Sequence, residues 1–449
     1  MSIAASFRRL MAPPVYRSLG IDIFGKHRWL TEVGQWSPAK REEWRLAKLN
    51  ALLDHCWAHV PFYQRYWADH GLQPQPVRHL EELARYPVLP RDLFKAHRDE
   101  LVPDTLAVIP HKSDSTGGTT GSPLKYFHDL ELHALRYACQ MIGWGFAGYQ
   151  FADEVFLVSG GSLVAGKSTL RNAARGWLEA KRGLYCLQMD DALARDCWRA
   201  MRQQGTQLLV GYPSTISLLC SSLKRQQLPL TGLKAVVTTA EMLLPHYRAA
   251  IEDHTGVKVF DHYGCNDGGL LSYECERHAG LHYNDFESVL EVIEPDGAGV
   301  GELAITNLWN RSMPFVRYLN GDLLNLVQEP CPCGRRYPLI GRVQGRTADI
   351  LSFPNGKNLT GPGVTLIFKD LAVEAWQAVQ TGPDTLEIRI RSGAPLAASQ
   401  EHYIHQVLQQ HLGDGCRVAI RYVDAFAVTR GGKLKPVFSE WNSGKTTLV

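Results

Sequence analysis

The sequence lacks any apolar run that approaches the ~20 residues needed to cross a bilayer as a helix. Its first residues, Met1-Ser-Ile-Ala-Ala-Ser-Phe-Arg-Arg9, also lack the basic start followed by a long apolar segment that marks a secretory signal peptide. We therefore expect no membrane span and a cytoplasmic location.

Long runs of like charge are absent as well. The chain has 48 Lys and Arg residues against 45 Asp and Glu residues, so its formal net charge of +3 is small for 449 residues. Nucleic acids and anionic membranes are usually bound through clustered basic charge. The charge pattern therefore gives no indication of either partner and favours a small-molecule substrate. It leaves a homodimer as an open alternative.

The cysteines do not form the regular pattern of a disulfide framework. Ten are present in 449 residues, and most are isolated, which is typical of thiols in a reducing compartment. The isolated ones are Cys56, Cys139, Cys186, Cys197, Cys220, Cys265 and Cys416. Cys275, Cys331 and Cys333 are the exception and are considered separately.

What is present is the composition of a globular protein, with 45% hydrophobic and 21% charged residues. The length predicts a large domain and a smaller one. Residues 40–100 are predicted to be mainly helical, because Arg41–Trp57 places apolar residues at three- and four-residue spacing. We expect a helical N-terminal layer over about residues 1–110.

From residue 206 the chain alternates between strand and helix patterns. The predicted strands cover residues 206–210, 233–238 and 257–261, and the predicted helices cover 213–227 and 245–254. This rhythm predicts a mainly parallel sheet covered by helices, with ligands bound at the carboxyl ends of the strands.

The segment Asp114-Ser-Thr-Gly-Gly-Thr-Thr-Gly-Ser-Pro-Leu-Lys125 is rich in glycine and hydroxyl side chains. It follows the apolar run Leu106–Pro110 and precedes Leu124–His128, so we predict a loop between two strands. Backbone N–H groups and small hydroxyls in such a loop suit a polyphosphate. A flexible turn without a ligand is the alternative reading.

Gly118-Thr119-Thr120-Gly121-Ser122-Pro123 resembles the phosphate loop of the adenylate-forming enzymes, the superfamily of acyl-CoA synthetases, peptide-synthetase adenylation domains and luciferases. The resemblance implies that the loop holds the triphosphate of ATP. The residues to which it assigns this role are Ser115, Thr116, Gly118, Thr119, Thr120 and Gly121.

Two strand ends in the α/β region extend the resemblance. The first is Thr239-Ala240-Glu241, and the second is Asp261-His-Tyr-Gly-Cys-Asn-Asp267, which is similar to the Tyr-Gly-x-Ser/Thr-Glu motif. The resemblance implies nucleotide binding by Ala240, Glu241, His262 and Tyr263, and Mg²⁺ binding by Asp267, whose side chain is one methylene shorter than the usual Glu. A strand end followed by a glycine turn is the structural alternative for each motif alone.

Three later segments follow in the family's order. Met313-Pro-Phe-Val-Arg-Tyr-Leu-Asn-Gly-Asp322 resembles the Arg-Tyr-x-x-x-Asp segment, and implies that Asp322 binds the ribose hydroxyls. Gly341-Arg-Val-Gln-Gly-Arg-Thr-Ala-Asp-Ile350 resembles the domain hinge, with Arg346 beside the nucleotide, Ala348 in place of the first hinge acid and Asp349 retained. Val428-Thr-Arg-Gly-Gly-Lys-Leu-Lys435 places Lys433 at the catalytic lysine.

A rival interpretation comes from Gly161–Ser168, which matches the P-loop spelling G-x-x-x-x-G-K-S and follows a predicted strand, Glu154–Ser159. It predicts a P-loop NTPase or kinase that uses Lys167. Such an enzyme also needs a later strand that ends in an acidic Mg²⁺ ligand, and no segment fits that role better than another.

The cysteine group indicates a metal site. Cys275 and His282 lie in one segment, and Cys331-Pro-Cys333 follows about fifty residues later. Three thiolates and an imidazole are the ligand set of a closed, structural Zn²⁺ site. His278 competes with His282 as the fourth ligand, and a set of unpaired thiols is the alternative.

Together the motifs resemble the phenylacetate-CoA ligase branch and its relatives in capsule biosynthesis. The resemblance implies an α/β fold with a large N-terminal domain of mainly parallel sheets covered by helices, residues 1–347, and a small, mobile α+β C-terminal domain, residues 348–449. It implies ATP- and Mg²⁺-dependent formation of an acyl-adenylate from a carboxylic acid, release of pyrophosphate and transfer to coenzyme A. Tyr149, Tyr212 and Gly264 are the candidates for the acid pocket.

The sequence leaves the acid itself open, and an amine acceptor in polysaccharide biosynthesis is the alternative to coenzyme A. A non-catalytic relative that only binds nucleotide is a further alternative, because Asp267 and Ala348 depart from the family pattern.

Overall fold

The computed structural model describes residues 3–115, 124–159, 169–186, 189–341, 343–346, 351–359, 373–413, 415–428 and 433–441, with residues 364, 367, 368 and 371. The chain divides into two compact units. Unit 1 contains Met1–Thr116, Pro123–Ala152 and His262–Val343. Unit 2 contains Asp153–Asp261 and Gln344–Val449. Within the described ranges, no helix is both long and apolar enough to cross a bilayer.

Unit 1 begins with a helical layer. Its helices are α1 (Ile3–Ser18), α2 (Ile23–Val33), α3 (Pro38–His59), α4 (Pro61–Asp69), α5 (Arg91–Ala96) and α6 (Leu130–Phe146), with 3-10 turns at Leu80–Arg85 and Leu106–Val108. Ser37 caps α3 by accepting a hydrogen bond from the Lys40 backbone N–H, and Pro38 occupies the first turn. The apolar face of α3 is buried at Leu49, Leu52 and Leu53, which confirms the helix predicted from residue spacing.

The strands of unit 1 are mostly antiparallel. They are β1 (Leu89–Pro90), β2 (His111–Ser115), β3 (Lys125–Asp129), the end of β8 (Val259–Cys265), β9 (Leu270–Glu274), β10 (Leu281–Tyr283), β11 (Ser288–Ile293), β12 (Gly301–Asn307), β13 (Tyr318–Leu324), β14 (Leu326–Val327) and β15 (Leu339–Ile340). β11, β12 and β13 pair in order, and β8, β9, β10, β15 and β14 form a second antiparallel series. Strand β8 passes from unit 2 into unit 1.

The first part of unit 2 is the predicted α/β region. Its strands are β4 (Val155–Ser159), β5 (Lys181–Tyr185), β6 (Leu208–Gly211) and β7 (Ala235–Thr239), and its helices are α7 (Leu170–Leu178), α8 (Asp191–Gln204), α9 (Pro213–Arg225) and α10 (Pro245–Thr255). The strands pair in parallel in the order β5-β4-β6-β7. The α/β fold with parallel strands under helices is therefore confirmed.

Local signals place the helix ends in this region. α9 and α10 each begin with a proline in the first turn, and the C-cap of α10 is Gly256, whose φ of 69° is left-handed. The N-cap of α8 is Asp190, whose side chain accepts from the Leu193 backbone N–H, and its C-cap is Gly205 with φ 68°. These caps position the strand ends on which the candidate site is built.

The second part of unit 2 is an α+β element. Its strands are β16 (Gly345–Arg346), β17 (Leu351–Ser352), β18 (Asn358–Leu359), β19 (Ala375–Gly382), β20 (Thr385–Arg391), β21 (Arg417–Tyr422) and β22 (Val437–Ser439), and α11 covers Ala398–Leu412. The sheet order is β21-β20-β19-β22. Buried Trp376 and Phe368 stack at 5.2 Å in its core. A separate, mobile domain over 348–449 stays a prediction.

One predicted strand is wrong. The apolar run at 106–110 contains a 3-10 turn, Leu106–Val108, and the strand before the glycine loop is β2, His111–Ser115. The reason is that β2 finds its partner in β3, with His111 opposite Asp129 and Ser115 opposite Lys125.

Candidate functional site

The predicted phosphate loop connects the β2–β3 hairpin. Ser115 is the last residue of β2 and is exposed, and its backbone N–H donates to the Asp114 side chain at 2.8 Å. Thr116, Gly118, Thr119, Thr120 and Gly121 lie outside the described residues. The structure thus places the entry and exit of the loop, and the phosphate contacts of the loop stay a prediction.

Tyr263 and Asp322 meet in unit 1, as the two motifs imply they should. The Tyr263 hydroxyl donates to Asp322 Oδ2 at 2.5 Å. Asn320 Nδ2 donates to the same oxygen at 2.7 Å and to the Tyr263 hydroxyl at 3.0 Å. Asn320 Oδ1 also accepts a hydrogen bond from the Asp322 backbone N–H at 3.0 Å. This bond fixes the backbone at Asp322. Asn320 therefore fixes an aromatic ring beside a carboxylate, and sequence reasoning had given it no role.

Asp267 is held by partners that the sequence did not indicate. Its Oδ2 lies 2.5 Å from Arg91 Nη1 and accepts from the Tyr318 hydroxyl at 2.9 Å. Asp267 is 4% exposed, so its carboxylate is largely removed from water. Arg91 follows Pro90 at the start of α5, where no motif marks it. Tyr318 is the tyrosine of the Arg-Tyr-x-x-x-Asp segment, so the motif could have indicated it as a residue of the site.

The Thr239-Ala240-Glu241 segment lies at the carboxyl end of β7 in unit 2. Ala240 has φ 70°, a left-handed value that is strained for a residue with a Cβ. Glu241 Oε2 accepts from the Ser214 hydroxyl at 2.6 Å, and Oε1 accepts from the Leu434 backbone N–H at 2.6 Å. This carboxylate joins the first turn of α9 to the residue that follows Lys433.

Burial raises the pKa of Glu241 to about 7, although the hydrogen bonds from Ser214 and Leu434 and the charge of Lys433 lower it. The unfolded chain releases this proton near the ordinary pKa of 4.5, so between pH 4.5 and 7 the folded state binds more protons. The contribution of Glu241 to stability therefore falls as the pH rises through this window and stays low above it.

Glu241→Gln should remove this pH dependence. We expect the difference in melting temperature, variant minus wild type, to increase as the pH is raised from 4.5 to 7. The reason is that only the wild type must bury a charge at position 241. Thermal denaturation of both proteins across this range measures the difference. Parallel pH profiles of the two proteins would contradict the assignment.

Lys433 is partly buried and precedes Leu434, which forms an antiparallel β-bridge with Val428. Its charge acts on Glu241, which places it near the Thr-Ala-Glu segment within unit 2. For Arg346 the structure describes the backbone, in β16. Ala348 and Asp349 of the predicted hinge, and Lys167 of the rival P-loop, lie outside the described residues.

The three candidates for the acid pocket differ in exposure. Tyr149 is 6% exposed and packs edge-on against Trp144 at 5.4 Å in unit 1. Tyr212 is fully buried before the first turn of α9 in unit 2. Gly264 is exposed on β8 in unit 1. Their shared role in a pocket stays a prediction.

Four potential metal ligands converge in unit 1. The ligand atoms of Cys275, His282, Cys331 and Cys333 all lie within 4.8 Å of one another. Cys275 Sγ is 3.7 Å from Cys331 Sγ, and Cys333 Sγ is 3.3 Å from His282 Nε2. Two sulfurs bound to one Zn²⁺ at about 2.3 Å in a tetrahedron are about 3.8 Å apart. The donor set and its spacing therefore fit Zn²⁺.

The orientation of His282 also fits a ligand. Its Nδ1 hydrogen-bonds to the Tyr337 carbonyl at 2.9 Å, which turns Nε2 towards the three sulfurs. His278 instead lies 3.1 Å from Glu274 Oε2 through its Nδ1. The geometry thus brings His282, and not His278, to the cysteines.

Comparisons with known proteins agree with the family resemblance. A family model described as the CapK C-terminal domain matches residues 351–440. The phenylacetate-coenzyme A ligase of Thermus thermophilus is 26% identical over 322 residues, which cover 68% of this chain and 70% of that protein. The phenylacetate-coenzyme A ligase of Pseudomonas putida is 24% identical over 397 residues, which cover 83% and 84%.

The fold is shared with a solved structure. A 2-hydroxyisobutyryl-CoA ligase, crystallised in the postadenylation state, superposes with a TM-score of 0.72 and 21% identity over 90% of both chains. At this identity the likeness concerns the fold.

Proposed function

Because the chain belongs to the superfamily of adenylate-forming enzymes, we propose that it activates a small carboxylic acid with ATP and transfers the acyl group to coenzyme A. In the first step the carboxylate attacks the α-phosphate of ATP, and pyrophosphate leaves. A carboxylate is a poor electrophile, whereas its mixed anhydride with AMP is a good one. In the second step the thiol attacks the acyl carbon, and AMP leaves.

The observation that carries the proposal is the joining of two distant motifs at Tyr263 and Asp322. Their side chains form a hydrogen bond of 2.5 Å that Asn320 supports from the same strand as Asp322. A fixed ring beside a carboxylate suits a nucleoside, because the ring stacks on the base and the carboxylate accepts from the ribose hydroxyls.

The family resemblance assigns further residues to the nucleotide. Ala240, Glu241 and Arg346 would border the nucleotide. The glycine loop would hold the phosphates with backbone N–H groups and hydroxyls. Its proposed phosphate-binding residues are Ser115, Thr116, Gly118, Thr119, Thr120 and Gly121. Lys433 would neutralise the charge that develops between the carboxylate and the α-phosphate.

Asp267 is the proposed Mg²⁺ ligand. Its Oδ2 accepts hydrogen bonds from Arg91 and Tyr318, whereas Oδ1 lies 3.4 Å from the Cys265 thiol. A bound Mg²⁺ would supply charge neutralisation at the phosphates. We therefore assign the metal contact to Oδ1, with Arg91 and Tyr318 fixing the orientation of the carboxylate.

The second proposed metal is a structural Zn²⁺ held by Cys275, His282, Cys331 and Cys333. Four protein ligands leave no position for water or substrate. The ion would tie the loop after β9 to the segment between β14 and β15. Its role is therefore in folding and not in the reaction.

Coenzyme A is the acceptor that the relatives favour, since both are phenylacetate-coenzyme A ligases. An amine acceptor and a P-loop NTPase that uses Lys167 are not favoured. We retain a cytoplasmic location as a prediction, and a homodimer as an open alternative that size-exclusion chromatography tests.

The test is acid-dependent exchange of pyrophosphate into ATP by the purified chain, over a panel of carboxylic acids with Mg²⁺. An acid that supports exchange is then supplied with coenzyme A, and the thioester and AMP are measured in equal amounts. Lys167→Ala should retain both activities. Exchange that is absent with every acid, or ATP hydrolysis that is lost in a folded Lys167→Ala variant, would contradict the proposal.

A further inference from the structure

A cluster of polar side chains is buried between α6 and the β8–β9 pair of unit 1. It consists of Arg136 on α6, His262 on β8, Tyr273 on β9 and Glu287 after β10, and is called here the α6 polar cluster. His262 lies opposite Tyr273 in the antiparallel register, and their rings stack at 4.3 Å. Arg136 Nε lies 3.6 Å from Glu287 Oε1.

The cluster has more hydrogen-bonding capacity than its own members use. Among the described residues, no hydrogen-bond partner reaches either ring nitrogen of His262, the Tyr273 hydroxyl or Arg136 Nε. Glu287 has the Leu271 backbone N–H and the Arg136 guanidinium as its neighbours. Glu287 is 0% exposed and His262 is 8% exposed. Buried polar groups without protein partners are costly, so their presence in one place suits a polar ligand.

The charge states of Glu287 and His262 suit a neutral hydroxyl group as a partner of these two side chains. Burial raises the pKa of Glu287 to about 8, against the opposing effects of Arg136 and the Leu271 backbone. Burial also lowers the pKa of His262 to about 3. Near neutral pH both groups are therefore mainly uncharged, and each offers one donor and one acceptor.

The cluster lies directly below an exposed part of the Tyr-Gly-x-x-acid motif. Successive residues of a strand face opposite sides, so His262 and Gly264 share the α6 side while Tyr263 turns to Asp322. His262 therefore faces away from the Tyr263–Asp322 pair, although the resemblance implied a nucleotide contact for it. A Cβ at Gly264 would lie 3.4 Å from His262 Nε2. The exposed Asn266 accepts from Arg136 Nη2 at 2.9 Å. Gly264 thus adds no side chain over His262, and the side chain nearest to this position is that of Leu271, whose Cδ2 would lie 3.2 Å from such a Cβ.

We propose that the α6 polar cluster binds a hydroxyl group of the acyl substrate, so that the enzyme selects hydroxylated carboxylic acids over their hydrocarbon analogues. The inference rests on the proposed function, since it concerns the acid that is adenylated. A hydroxyl both donates and accepts, so it can pair with the neutral imidazole or with the neutral carboxyl group. A hydrocarbon leaves these groups unpaired, which is the case in which binding sites discriminate most strongly.

The test compares matched acids in the pyrophosphate exchange assay with the full chain. Suitable pairs are 4-hydroxyphenylacetate and phenylacetate, 3-hydroxybutyrate and butyrate, and lactate and propionate. For at least one pair we expect kcat/KM to favour the hydroxylated acid by about 100-fold or more. Exchange without such a preference in any pair overturns this inference and leaves the proposed function standing. Exchange with no acid at all overturns both.

Variants locate the preference. His262→Leu removes two unpaired nitrogens at similar volume, so it should fold, and Glu287→Leu removes the carboxyl group. Both should reduce the preference to about 3-fold or less, whereas Glu287→Gln, which keeps a donor and an acceptor, should retain most of it. His254→Leu on α10 removes another partly buried imidazole and should leave the ratio unchanged. A folded His262→Leu protein with the wild-type preference would refute the assignment.

Discussion

Lys433→Ala is expected to slow acyl-adenylate formation on the order of 10²- to 10³-fold, by analogy with deleting one oxyanion donor. The lysine charge matters most where negative charge develops as the carboxylate attacks the α-phosphate. The position of Lys433 supports this role within unit 2. Leu434, its neighbour, donates its backbone N–H to Glu241 at 2.6 Å, and Glu241 belongs to a proposed nucleotide-binding segment.

The second half-reaction should respond differently. Transfer to coenzyme A from a chemically supplied acyl-adenylate develops its charge at the acyl carbonyl, so Lys433→Ala should change it by less than about 10-fold. This separation follows if residues 348–449 move about the predicted Asp349 hinge between the steps. Both rates are measured in one preparation of the variant.

Lys357→Ala is the matched control, because it removes an exposed lysine charge elsewhere in unit 2. It should leave both half-reactions within about 2-fold of wild type, as most exposed substitutions do. Equal losses in the two half-reactions of Lys433→Ala would show that the lysine is structural, or that the hinge with Ala348 does not act as the resemblance implies.

Protein purified without added metal is expected to contain about one Zn²⁺ per chain. Cys331→Ser and Cys333→Ser should lose the metal together with ~3 kcal/mol or more of unfolding free energy, because a structural metal contributes directly to folding. For a unit of this size the loss corresponds to a melting temperature lower by about 6 °C or more. Elemental analysis and thermal denaturation give the two readouts.

A control separates metal loss from the cost of changing a buried thiol. Cys416 is buried in unit 2 and does not belong to the cluster, so Cys416→Ser should keep the Zn²⁺ and lose less stability. A chelator should lower the wild-type melting temperature towards that of Cys333→Ser and leave the latter unchanged. Equal melting temperatures of the metal-free and the metal-loaded wild-type protein would exclude a structural Zn²⁺.

Features that depend on neighbouring residues were predictable. Helices α9 and α10 begin at Pro213 and Pro245, where a proline suits the first turn. Strands β6 and β7 lie within one or two residues of their predicted positions, because short apolar runs between such helices are local signals. The strand predicted at Leu106–Pro110 was wrong, because a strand also needs a partner, and β3 pairs with His111–Ser115 instead.

By itself, the sequence determined the residue types available for chemistry and their order along the chain. The glycine loop, the Tyr-Gly-x-x-acid motif, Asp322 and the cysteine set could all be identified, since each is a short segment with its own chemical signature. The tertiary structure decided which side chains meet. Arg91 reaches Asp267 across 176 residues of sequence, and Arg136 meets Glu287 under β8 and β9. Such contacts are set by the packing of elements distant in sequence, and no local pattern of residues records them.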